Sequence, residues 1–171
     1  MAQTTIKDTH DGAMKGQIGA VLWEGLKFSA VVASGKSVTP GQPVIVSSVT
    51  GDGTLVVRAI ENSDTIDETT VLGFVALDTL RENENNTGYG AGRTVTVIRK
   101  GIMYVQTSAA VAAMAPVYVG NLTNQLGDID DGADTGMVQY PGAQFLTATS
   151  AAGIAKILID TRTSQPDAVS S

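Results

Sequence analysis

The sequence predicts an all-β protein, a barrel or sandwich built from two related β units. Three observations predict it. The first is an internal echo: Val38-Thr-Pro-Gly-Gln-Pro-Val-Ile-Val46 and Val111-Ala-Ala-Met-Ala-Pro-Val-Tyr-Val119 each carry a valine, four residues, then Pro-Val-x-Val. Proline is tolerated at the first residue of a strand, where no ladder donor is needed, and its fixed φ sets the entry angle of the chain. Each copy therefore reads as a turn feeding a strand. The second observation is a succession of short apolar or alternating runs separated by Gly-rich polar turns, the pattern of a sandwich or barrel. The third is that no segment offers about twelve residues of clean helical periodicity. Ser108 to Ala115 is the best short helical turn, because Ala favours helix and Pro116 would stop it at Ala115.

Residues 1–17 are polar and irregular and read as an extended arm, and Gly16 to Trp23 brings the first apolar block. Lys27 to Ala33 is a strand bounded by Ser34-Gly35. The first copy follows, with a turn over Thr39 to Gln42 and a strand from Val44 to Val49. Thr50-Gly-Asp-Gly53 signals a hairpin, with glycines available for positive φ. Thr54 to Ile60 is the return strand, Glu61 to Thr69 a polar loop, and Val71 to Leu77 another strand. Asp78 to Gly92, rich in Asn, Glu and Gly, is a long exposed excursion. Strands resume at Arg93 to Ile98 and at Ile102 to Gln106. The second copy opens at Ser108 and runs through a strand at Pro116 to Val119 and a polar insert from Asn121 to Gly136. Strands at Met137 to Tyr140, Ala143 to Ala148 and Ile154 to Ile159 complete it. Within it, Pro116 is expected to begin a strand whose Val117 and Val119 face away from Tyr118. The expected organisation is an arm over 1–17, a single β domain over 18–160 with units at about 27–107 and 108–160, and a polar tail over 161–171.

Composition narrows the function. The 171 residues suffice for one substantial domain. No apolar run reaches the ~18 residues of a membrane-spanning helix, so no membrane partner is expected, and Met1 to Thr5 shows no secretory signal. Cysteine is absent, which excludes disulfide scaffolds and thiolate metal sites. A net charge of −6 disfavours nucleic acid as a partner, since that binding needs clustered Lys and Arg. Charged residues make up only 16% of the chain, against roughly 25% in an average soluble domain. A surface so poor in charge suits coverage by other subunits, although a Gly- and Thr-rich β protein also needs few charges.

The chain is nearly empty of catalytic residue types. Its one histidine, His10, lies in the arm beside Asp8 and Asp11, and a single imidazole with flexible flanks is not a preformed metal site. The strongest metal candidate is Asp128, Asp130, Asp131 and Asp134, where carboxylates and Gly132 could wrap a Ca²⁺. Counted from Asp128, the glycine falls at loop position 5 and Gln139 stands at position 12, so this is not an EF-hand, and a solvated acidic loop is the better reading. Gly88-Tyr-Gly-Ala-Gly92 lacks the Lys-Ser/Thr of a phosphate loop and leads into a strand, not a helix. Ser37, Ser47 and Ser48 lie outside any nucleophile elbow. Trp23, Tyr89, Tyr104, Tyr118 and Tyr140 could stack sugars, but three of the tyrosines sit within strands at core spacing. No enzyme activity and no cofactor are expected. The residues point to a structural or binding module.

The polar arm, the turn and strand from Gly35 to Val44, the Ala-rich stretch ending in Pro-Val-Tyr-Val at Ala109 to Val119, and the closing alternating strand at Ile154 to Ile159 together carry a family likeness. Over roughly residues 16–160 the chain resembles the small capsid cement or decoration proteins of tailed bacteriophages. The resemblance implies an all-β virion protein, a homotrimer, made in the host cytoplasm and bound to the capsid exterior, where it cements neighbouring major capsid subunits and stabilises the shell. The Asp78–Gly92 and Asn121–Gly136 inserts are longer than that pattern requires, and no residue-level site transfers. The arm residues Thr4, Thr5, Ile6, Lys7, Asp8, Thr9 and His10 are the expected partner-binding segment, docking on capsid protein or on an adjacent copy. The competing classes are a receptor- or carbohydrate-binding module of a head fibre or tail, with an aromatic platform near Tyr89, and a tail or baseplate structural protein.

Overall fold

The computed structural model describes residues 13–20, 27–67, 70–77 and 88–160. The fold is all-β. The strands are β1 (Ile18–Ala20), β2 (Lys27–Val32), β3 (Ser37–Val38), β4 (Pro43–Val49), β5 (Leu55–Ala59), β6 (Val71–Val75), β7 (Tyr89–Gly90), β8 (Thr94–Ile98), β9 (Lys100–Gln106), β10 (Pro116–Gly120), β11 (Ile129–Asp130), β12 (Met137–Phe145) and β13 (Ile154–Asp160). Five of them close a barrel in the order β2-β5-β4-β6-β8, and six form a second sheet in the order β1-β9-β13-β12-β10-β11. β3 and β7 pair separately, joining Val38 to Tyr89.

The echo in the sequence is an echo in structure. Both prolines begin strands, Pro43 in β4 and Pro116 in β10. Val117 and Val119 are fully buried while Tyr118 between them is half-buried, the alternation expected of a strand with one covered face. The turns before the prolines make the same bonds. Gln42 N–H donates to Thr39 C=O, and Ala115 N–H to Ala112 C=O. Gly41 N–H donates to Val75 C=O while Val75 N–H donates to Gln42 C=O; Met114, Phe145 and Ala115 repeat that exchange. The antiparallel pairs of the barrel, β4 with β5, β4 with β6, β6 with β8 and β2 with β8, recur as β10 with β11, β10 with β12, β12 with β13 and β9 with β13. Leaving aside β1, which joins the second sheet, the division between barrel and second sheet falls between β8 and β9, ahead of position 107, so β9 plays in the second unit the part that β2 plays in the first.

Several local expectations change. Ser108 to Ala115 forms no helical turn. Val111 instead makes an isolated bridge to Thr149, with main-chain bonds in both directions, and pairing across the sheet outweighs the alanines' helix preference. Met137–Phe145 is one strand, not two, and absorbs Pro141 and Gly142 in a bulge where its register with β10 slips between Pro116 and Tyr118. The Asp78–Gly92 excursion ends in β7, and the Asn121–Gly136 insert holds β11.

Two cores result. Ala30, Val32, Val44, Val57, Leu72, Val75, Val95 and Val97 fill the barrel. The second core gathers Met103, Val105, Val117, Val119, Tyr140, Phe145, Ile157 and Ile159 together with Ile45, Ile60, Val71, Phe74 and Ile98 from the outside of the barrel. β6 is buried at every position and serves both cores. The barrel is thus welded to the second sheet through a shared apolar layer.

The two turns differ at one informative position. Gly41 has φ 77° and Met114 has φ 67°, both left-handed. That conformation costs a side chain with a Cβ about 1–2 kcal/mol and glycine little. Met114 is 63% exposed, so replacing it loses little packing. Met114→Gly is expected to raise stability by about 1 kcal/mol in a urea titration. Gly41→Met, whose Cβ would lie 2.9 Å from the Gly16 nitrogen, is expected to lower it by about 2 kcal/mol.

Candidate functional site

The arm residues Thr4 to His10, with Asp8 and Asp11 as partners for His10, lie outside the described residues, as does the 161–171 tail. The described part of the molecule offers surfaces, edges and loops. Among the described residues no group of three or more His, Asp or Glu side chains is placed to hold a metal.

Two carboxylates of the acidic loop are taken up by backbone amides. Asp131 Oδ2 accepts the Ala112 N–H at 2.6 Å, and Asp130 Oδ1 accepts the Asp131 N–H at 2.6 Å. Ser108 Oγ reaches Asp130 Oδ2 at 3.5 Å, and the Asp134 carbonyl accepts the Met137 N–H. These bonds tie the loop carrying β11 to the turn that precedes β10. Asp128 lies apart, on the wall of a groove with Lys15.

The other charged cluster is also structural. Arg58 on β5 grips Asp64 with two parallel bonds, Nη1 to Oδ2 at 2.6 Å and Nη2 to Oδ1 at 2.8 Å, and Glu61 N–H donates to Asp64 Oδ2. The loop so fixed reaches the second unit, where Ser63 N–H donates to Asn121 C=O and Asn121 Nδ2 donates to Asp64 C=O. The Arg58 hydrogen bonds, then the Glu61 amide, hold the Asp64 carboxyl below the usual carboxylate range, and Asp64 raises Arg58 in turn. A carboxylate lowered in the folded state contributes stability above its unfolded value, near about pH 4, and loses it as pH falls through the lower folded value. Asp64→Asn is therefore expected to cost about 2 kcal/mol at neutral pH and to flatten the loss of stability below about pH 4 in acid titrations followed by circular dichroism.

The aromatic side chains form no platform among the described residues. Tyr140 is fully buried with its ring centroid 4.8 Å from that of Phe74, and Tyr104 is buried beneath Lys156, whose Nζ sits 5.6 Å from the ring centre. Tyr89 is half-buried, and its hydroxyl donates to the Ala76 carbonyl at 3.4 Å. Gly88 to Gly92 builds a turn in which Gly92 N–H donates to Val32 C=O. Among the described residues the exposed large apolar side chains are Met14, Val49 and Met114 on separate turns or strand ends, and Leu122 and Leu126 together on one turn after β10.

One feature of the second sheet stands out by comparison with the barrel. The barrel closes where β2 pairs in parallel with β5, at Ala30 with Leu55, Val31 with Val56 and Val32 with Val57. The corresponding β9 and β11 do not pair. One main-chain bond, Ser108 N–H to Ile129 C=O, spans them, matching Ala33 N–H to Val57 C=O in the barrel. The upper part of the β9 edge is covered by β1, with Ile18 opposite Met103 and Ala20 opposite Ile102. The lower part borders the groove already noted, a cavity of about 200 Å³ lined by Lys15, Gln42, Gln106, Ser108 and Asp128 among others. Sequence reading missed this seam because it depends on which strands fail to meet.

The described residues build a closed barrel welded to an incomplete copy of itself through a shared apolar layer, with strand edges left open at the second sheet. The chain matches over residues 2–160 the model of the family described as structural cement protein (E217 gp24/Pam3 gp6), and it belongs to that family. It is a structural virion protein that binds the phage capsid. Among solved structures it is similar to a chain from the capsid of Myoviridae phage XM1, with 16% identity over 92% of this chain and 98% of the other and a TM-score of 0.62, a likeness of fold. A second similar chain is the head fiber gp8.5 N base in bacteriophage phi29, with 15% identity over 80% of this chain and 95% of the other and a TM-score of 0.47. No curated protein matches.

Proposed function

We infer that this protein sits on the outer surface of the capsid as a homotrimer and cements neighbouring major capsid subunits, after synthesis in the host cytoplasm. The observation that carries this reading is the cement-family match, which begins at residue 2 and so takes in the arm as well as the β domain. The physics agrees. A clamp must resist deformation, and the two units share one apolar core through β6. It must also grip several neighbours weakly and together, which repetition over a shell turns into avidity. Residues Thr4, Thr5, Ile6, Lys7, Asp8, Thr9 and His10 form the docking segment, since an extended arm adds main-chain hydrogen bonds by joining a sheet edge. The fibre or receptor-module reading called for an aromatic platform near Tyr89, and that side chain is half-buried against Ala76.

Deleting residues 1–12 tests the docking segment. Binding to undecorated capsids, followed by co-sedimentation, is expected to weaken about 100-fold while the circular dichroism spectrum and thermal midpoint stay at full-length values. Loss of folding on deletion, or unchanged binding, would refute the role given to the arm.

A further inference from the structure

The outer face of the second sheet is composed like an interface. In β13, Ala155, Ile157 and Ile159 point into the second core, so Ile154, Lys156, Leu158 and Asp160 point outward. Register carries that face across the sheet. Leu158 lies between Ile102 on β9 and Gln144 on β12, and Gln144 opposes Pro116 on β10. Tyr118 on β10 lies between Gln139 on β12 and Asp130 on β11. The barrel shows what such a face becomes when it is permanently covered. Ile45, Phe74 and Ile98 correspond to Tyr118, Gln144 and Leu158, because Pro43 and Pro116 begin equivalent strands and Phe74 pairs with Ile98 as Gln144 pairs with Leu158. The barrel residues are buried in the layer between the units. Their counterparts are only partly buried, and two of the three gain a polar end. That change suits a surface that meets water before it meets a partner. A hollow of about 400 Å³ opens on this face among Met114, Pro116, Gln139, Gly142, Gln144 and Leu158.

We propose that copies of this chain meet through this face, an inference that rests on the homotrimer reading above. Charge selects a second copy as the occupant. Chains of net charge −6 repel one another, so they associate best where their charges balance or oppose. The face carries two lysines, Lys100 and Lys156, and two aspartates, Asp130 and Asp160. Lys100 and Asp160 meet within one copy at 3.6 Å. Lys156 and Asp130 stand on opposite sides of the face, on β13 and β11, with β12 and β10 between them. Three strand spacings, about 14 Å, separate those sides, so one copy cannot join the pair and a neighbour can. Asp131 and Asp134 extend the acidic side beyond Asp130. Three faces turned towards a common axis set the Lys156 side of each copy against the Asp130 side of the next. They enclose the row Ile102, Leu158, Gln144 and Pro116 between them. The contact runs in one direction and closes as a ring.

Sedimentation velocity of the full-length protein over a concentration series tests this. Lys156→Asp and Asp130→Lys are each expected to weaken association on the order of tenfold or more, and the double variant to regain it, because the swapped pair attracts again. Asp130 also accepts the Asp131 N–H, so thermal midpoints check that each variant is folded. Oxidation of Met114 by hydrogen peroxide needs no variant. It is expected to slow on the order of tenfold as copies associate, with Met14, exposed on a different turn, as the reference. Association indifferent to both substitutions, or association that leaves Met114 as reactive as in dilute protein, overturns the proposal. So does a chain that stays monomeric at every concentration. Protection of Met114 only on adding capsids overturns it too, since the face would then meet the capsid. Capsid co-sedimentation of the same samples separates the two readings. Capsid binding by protein that fails these tests removes the contact between copies and leaves the cement function standing; protein that passes them without binding capsids does the reverse.

Discussion

Gly73→Ala is expected to cost about 4 kcal/mol, enough to leave the protein largely unfolded in mild urea. Gly73 lies in the middle of β6 at φ 150°, and a Cβ there would stand 2.3 Å from the Ile98 carbonyl oxygen and 3.0 Å from Val97 Cγ1. The obstacle is the backbone of β8, which pairs with β6 at Phe74–Ile98 and Val75–Val97 and cannot withdraw without opening the barrel. The glycine also creates the break in register on the other side, where Val44 opposes Gly73 but Ile45 opposes Val71. That extra residue resets the alternation of the strand. Val71 and Phe74 face the shared core while Leu72 and Val75 face the barrel interior. A regular strand would put Leu72 and Phe74 on the same face. Gly51→Ala, where an added Cβ meets nothing within 4 Å, is the control and is expected to change stability by less than about 0.5 kcal/mol.

Phe74→Ala is the second large effect, expected at about 3–5 kcal/mol. Its ring is fully buried and packs against Tyr140 with the planes tilted by 47°. Phe74 belongs to the barrel by sequence and to the second core by contact, so the cavity would open in the layer that joins the units. The full-length protein is expected to unfold in one transition, seen alike by far-ultraviolet circular dichroism and tyrosine fluorescence. In Phe74→Ala the denaturant dependence is expected to become shallower, or the two probes to separate, because the units lose the contact that makes them unfold together. A variant that unfolds with unchanged slope and little loss of stability would contradict the shared-core account.

Much of this architecture is legible in the sequence because it is local. Pro43 and Pro116 mark strand starts by stereochemistry alone, and the alternation of Thr94 to Ile98 and Ile154 to Ile159 declares strands with one covered face. The equal spacing of valine and proline in the two turns is matched in the fold by three corresponding main-chain bonds around each turn. What the sequence concealed depends on partners far along the chain. Gly73 looks like a weak point in an apolar run, and only the approach of β8 shows why no other residue fits. Ser108 to Ala115 carries a helical composition that pairing with Thr149 overrules. β9 reads as the end of the first unit but is drawn into the second sheet by seven consecutive pairs with β13. The open seam has no sequence signature, since it consists of pairings that the first unit makes and the second does not.

Under the proposed function the protein clamps the outside of the capsid. Electron cryomicroscopy of purified capsids with and without the chain tests it most directly. Added density is expected on the outer surface at threefold or quasi-threefold junctions, into which three copies of the barrel and second sheet fit, with arms running to neighbouring subunits. Density confined to the tail or to a single vertex, or capsids identical with and without the protein, would contradict it.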